Sequence, residues 1–124
     1  MSHQTYPTIT NFDEENFENL RKMENVFKET ITMEDLVKLR KAFQNFPIVS
    51  SSSFNLHFQN FNDHQKMIEK FGGDPKFDAP NSEQFSWFFK TENAENVLIV
   101  HYYPTRKLIT FGYCDPPMSA VVYD

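Results

Sequence analysis

A single cysteine, Cys114, rules out an intrachain disulfide and any zinc site built on cysteine pairs. Three glycines leave few backbone pivots and no glycine-rich phosphate loop. No segment carries an excess of lysine and arginine. Residues 1–46 hold 8 acids and 6 bases, 47–84 hold 5 and 3, and 85–124 hold 4 and 3. Without a basic stripe there is little counterion release from a phosphate backbone, so nucleic acid and anionic lipid are disfavoured as partners. Apolar runs fall short of a membrane span, and no N-terminal stretch joins positive charge to an apolar core. These absences predict a reducing compartment, cytoplasmic or nuclear, and no membrane partner.

What the chain has in quantity is bulk. Its 124 residues are 40% hydrophobic and 16% aromatic, with 14 phenylalanines. That is enough for one domain with a densely packed core. Residues 1–11, with Pro7, read as a flexible tail holding a short extended piece at Thr8–Thr10. Residues 12–124 read as a single domain.

Phe17, Leu20, Met23, Val26 and Phe27 recur at helical spacing behind Asp13, Glu14 and Glu15, predicting a first helix. A second opens at Thr32, with Asp35 completing a shortened capping box. It carries Met33, Leu36, Val37, Phe43 and Phe46, and Pro47 stops it. A short IVS piece and a serine-rich turn at 50–53 precede FNLHFQNF. There Phe54, Leu56 and Phe58 alternate with polar residues as in a half-buried strand. Asn62 or Asp63 caps a third helix bearing Met67, Ile68 and Phe71, and Gly72-Gly73 ends it. After an ordered loop with Pro75 and Pro80, strands are predicted near 85–90, 97–103 and 107–113, and a last one at Ser119–Tyr123.

This order predicts an α+β domain: two to three helices on one face of a mostly antiparallel, curved sheet of four to six strands. In order and length the layout resembles the nuclear transport factor 2 family, whose cone-shaped sheet follows helix-helix-strand-strand-helix. That resemblance implies pairing through the outer sheet face and a pocket on the inner one.

The run VLIVHYY is apolar on both of its faces, so both need covering. With Pro104-Thr105-Arg106 as a three-residue loop, Tyr103 faces Lys107, His101 faces Ile109 and Ile99 faces Phe111. That face carries the larger side chains and is the expected core. The opposite face, with Phe88, Leu98, Val100, Tyr102, Leu108 and Thr110, is the expected partner-binding surface.

The sequence contains no catalytic motif. There is no HExxH, no paired CxxC and no GxSxG, and no metal or cofactor is expected. His3, His57 and His64 lack a placed partner in the sequence. His101 sits in an apolar strand, where hydrogen bonding to a backbone carbonyl or tyrosine hydroxyl competes with orienting a ligand. Cys114 reads as a small buried hydrophobe.

The leading expectation is a non-enzymatic interaction module (adaptor, complex subunit or inhibitor) that binds a protein partner or a second copy. The alternative is a small-molecule-binding or enzymatic pocket between sheet and helices around Trp87, His101, Tyr103 and Tyr113. An RNA-binding sheet is a third reading, disfavoured by charge and by the lack of a basic, glycine-containing aromatic motif.

Overall fold

The computed structural model of the chain describes residues 6–10, 12, 17, 19, 20, 22–45, 53–71, 84–92, 95–118 and 121–124. The expected features at Asp13–Glu15, Phe46-Pro47, the IVS piece, Gly72-Gly73 and the loop with Pro75 and Pro80 lie outside them.

Phe17, Asn19 and Leu20 are helical, and the chain then turns, with the Met23 N–H donating to the Leu20 carbonyl at 3.0 Å. The first predicted helix therefore stops short of Val26. Asn25–Ile31 is instead strand β1, with Val26 buried in the core. Valine, threonine, isoleucine and phenylalanine favour extended backbone, and here that outweighs the accidental continuation of a helical stripe.

Helix α1 spans Met33–Asn45 and buries Met33, Leu36, Leu39 and Phe43. Its start is closed as expected. The Thr32 hydroxyl accepts the Asp35 N–H at 3.2 Å, and the Asp35 carboxylate accepts the Thr32 N–H at 3.0 Å. Such a cap contributes about 1 kcal/mol. The same carboxylate takes the half-buried Lys28 ammonium at 2.6 Å, tying helix to strand. Asp63 adds a second tie by accepting the Met33 N–H at 2.9 Å.

Strand β2 is Phe54–Phe61 and helix α2 is His64–Phe71. Strands β3 (Phe85–Lys90), β4 (Val97–Tyr103), β5 (Leu108–Cys114) and the two-residue β6 (Val122–Tyr123) complete the chain. They form one open sheet in the order β1-β2-β5-β4-β3-β6. The three central pairings are antiparallel, whereas β1 with β2 and β3 with β6 are parallel. The sheet is thus mixed, and β1 and β2 are neighbours joined through α1. The helix-helix opening implied by the family resemblance is interrupted by β1. Along the free side of β1, Pro7 and Ile9 exchange two 2.8 Å hydrogen bonds with Phe27, so part of the expected tail is paired with the edge.

Both helices pack on one face of the sheet. Phe43 of α1 stacks on Phe111 at 5.2 Å and meets Phe17, Phe54 and Tyr113, while Phe71 of α2 stands edge-on to Trp87 and Phe89. The Arg40 guanidinium lies over Phe71 and Phe89 at 5.5 and 5.1 Å, and burial pulls its pKa down. Leu56, Leu98, Val100 and Ile109 fill the sheet side of this layer and are fully buried.

That packing corrects the expected faces of β4. Leu98, Val100 and Tyr102 were expected on an outward surface, but they point under the helices. Ile99, His101 and Tyr103 take the other side. The reason is the loop, which runs through four residues, Pro104 to Lys107, so that Tyr103 pairs with Leu108. A shift of one residue sends every side chain of a strand to the opposite face.

Candidate functional site

The Lys107 N–H returns to the Pro104 carbonyl at 3.2 Å, and Lys107 adopts φ 53°. This left-handed residue lets the loop spend four positions and sets the register from which the helix-free face is built.

On that face, three cross-strand rows define the surface. The middle row is polar: Asn25, Asn55, Thr110, His101 and Ser86, one from each of five strands. On one side lie Phe27, His57, Leu108 and Tyr103. On the other lie Gly112, Ile99, Phe88 and Val122. Apolar side chains thus flank a hydrogen-bonding stripe. No helix among the described residues covers them, and Phe27, Phe88, Ile99, Tyr103 and Val122 remain half-exposed.

Within the stripe, His101 Nδ1 lies 2.7 Å from Ser86 Oγ and 3.0 Å from the Gln84 amide nitrogen. With the Gln84 N–H donating, Nδ1 is an acceptor and the ring proton sits on Nε2. A serine beside an imidazole invites a nucleophile reading. Yet Ser86 is only 4% exposed, which keeps its hydroxyl away from a substrate. The pair therefore satisfies a buried hydroxyl across two strands.

At the loop end of the face, the Arg106 guanidinium lies 5.0 Å over the Tyr103 ring. His57 is sandwiched flat against Tyr6 at 4.1 Å and holds Asn25 Oδ1 at 3.0 Å. Burial, then the charge of Arg106, lowers its pKa. Between these groups a shallow concavity of about 420 Å³ opens over Thr110, walled by Asn55, His101, Tyr103, Arg106 and Leu108.

The residues singled out from the sequence divide between the two faces. Phe88, Leu108 and Thr110 lie on the helix-free side, Leu108 itself being buried there, while Leu98, Val100 and Tyr102 belong to the core. Of the four expected pocket residues, His101, Tyr103 and Tyr113 border the concavity on the helix-free face, although the Tyr113 ring itself turns toward Phe43. Trp87 packs against Phe71 and Phe85, and the Tyr113 hydroxyl donates to the Phe43 carbonyl at 2.7 Å, both on the helix side. His101 and Tyr103 face the other way.

Cys114 stands opposite Val97, four residues of β4 away from His101, about 13 Å at strand spacing. Burial and the neighbouring Asp115 push its thiol pKa up, the reverse of nucleophile activation. His64 Nδ1 pairs with the Tyr102 hydroxyl at 2.8 Å, and burial raises that phenol to about 12, so the contact is structural.

Sequence reasoning missed Gln84, Ser86, Asn55 and Arg106. The alternation of polar Asn55 and His57 with buried neighbours was legible, but nothing local aligned those strands with Ser86 or brought Arg106 over Tyr103.

Compared with known proteins, the chain matches no family model, no curated protein and no solved structure. Among the described residues, no helix is long and apolar enough to cross a membrane.

Proposed function

We propose that this protein is a non-enzymatic interaction module that docks a protein partner, or a second copy of itself, through the helix-free face of its sheet. The observation that supports this reading is the surface of Phe27, Tyr103, Ile99, Phe88 and Val122 set on both sides of a polar row, with no helix over it among the described residues. Apolar and aromatic groups interleaved with a few fixed hydrogen-bonding groups are the composition of an interface centre. The concavity on this face is broad and open, which suits a protein surface better than a small molecule needing enclosure. Between sheet and helices, where a ligand pocket was the alternative, Trp87, Val100 and Phe111 are fully buried in packed core.

Affinity capture from native extract tests the reading with two charge-introducing variants. Ile99→Asp places a carboxylate in the proposed interface, and Lys41→Asp places one on the exposed side of α1. Proteins retained by wild type and Lys41→Asp should be lost with Ile99→Asp, or self-association seen by light scattering should be lost in the same way. Equal behaviour of both variants contradicts the reading.

A further inference from the structure

The concavity over Thr110 differs from the rest of this chain in its charge. The protein carries a net charge of −5, yet the walls of the concavity include the Arg106 guanidinium and no acidic residue. Among the described residues the Arg106 guanidinium has no carboxylate partner. It is nevertheless placed, because it rests on the Tyr103 ring and that stacking limits its freedom before anything binds. Below it, the Asn55 amide and the Thr110 hydroxyl stand side by side across β2 and β5, and the described residues leave both side chains unpaired. A guanidinium at the lip and neutral donors on the floor form a set that recognises a carboxylate. The planar fork supplies paired N–H donors, and the amide and hydroxyl can take up the remaining lone pairs. The apolar rows beside it give the neighbouring residues of the same ligand somewhere to pack.

We propose that this concavity receives a carboxylate of an acidic segment in the docked protein, with Arg106 as the charged anchor and Asn55 and Thr110 as the hydrogen-bonding floor. The inference rests on the docking reading above and adds the chemistry of the partner. Charge complementarity argues for it: a cationic, acid-free hollow on an acidic protein attracts an acidic segment that the rest of the surface repels, giving orientation as well as contact.

Nuclear magnetic resonance titration of the full chain tests it. The probes are a short capped peptide alternating glutamate with leucine, the same peptide with glutamine for glutamate, and inorganic phosphate. The glutamate peptide should shift the amides of residues 106–110 and of His101, and the glutamine peptide should not. Arg106→Gln should weaken the response about tenfold, the loss of one charge-assisted contact, and Arg106→Lys by less. A flat titration, or equal responses to both peptides, overturns the inference. Phosphate matching the glutamate peptide at equal concentration overturns it too, in favour of a small free oxyanion. If Ile99→Asp loses its partner while Arg106→Gln keeps it and the titration is flat, docking stands and the acidic segment falls. If both variants keep every partner, both readings fall.

Discussion

Val100→Asp unfolds the domain, whereas Ile99→Asp, one residue away, leaves it folded. Val100 is 0% exposed and lies between Trp87 and Phe111 on its neighbouring strands, beneath the helices. A carboxylate there has neither water nor a cation to stabilise it, and the cost of several kcal/mol is comparable with the about 5–15 kcal/mol that holds a domain together. Ile99 lies between Gly112 and Phe88 on the helix-free side, where a shorter charged side chain reaches solvent. Its replacement costs about 1 kcal/mol or less. Circular dichroism melts of the two variants read the difference directly. Equal unfolding of both would mean that the two faces of β4 are covered from within the chain.

Phe43→Ala is the second large loss expected. Its ring meets those of Phe17, Phe54, Phe111 and Tyr113, so it joins helix α1, the preceding helical turn and two strands at one point. Removing the ring forfeits its transfer free energy and leaves a cavity that surrounding rings cannot fill, about 3–5 kcal/mol in total. Phe43→Leu should recover part of that, and Phe88→Ala, on the helix-free face, should cost far less. Urea unfolding monitored by Trp87 fluorescence separates the three. A Phe43→Ala variant as stable as Phe88→Ala would contradict the placement of the core.

Much of this architecture was legible along single strands. The alternation of Phe54, Leu56 and Phe58 named both the strand and its buried face, and Thr32 with Asp35 marked the start of α1. Ile109, Phe111 and Tyr113 were correctly set toward the helices. The β4 run VLIVHYY failed because it is apolar at every position but one, so alternation carries no sign. Its face then depended on the length of the β4–β5 loop. The residue that lengthens this loop, Lys107, enters the left-handed region without being glycine or asparagine, so no side chain announces it. One uncounted residue turned Leu98, Val100 and Tyr102 inward and His101 and Tyr103 outward.

The candidate site failed to show for a related reason. The row from Asn25 to Ser86 draws one residue from each of five strands, and its existence depends on every register between them. Parallel pairing of β1 with β2 adds a long-range contact that leaves no mark in local periodicity. The same holds for Arg106, whose position over Tyr103 follows from the turn and not from its neighbours in sequence.

The central claim is that the helix-free face is where this protein meets another. Covalent footprinting of side chains, performed on the chain alone and on the chain bound to a protein it captures or to its own second copy, measures that most directly. Labelling of Phe88, Ile99 and Tyr103 should fall in the complex, while Val37, Lys66 and Lys70 in the groove between α1 and α2 stay as reactive as before. Protection of that helical groove, with Phe88, Ile99 and Tyr103 still fully labelled, would contradict the account.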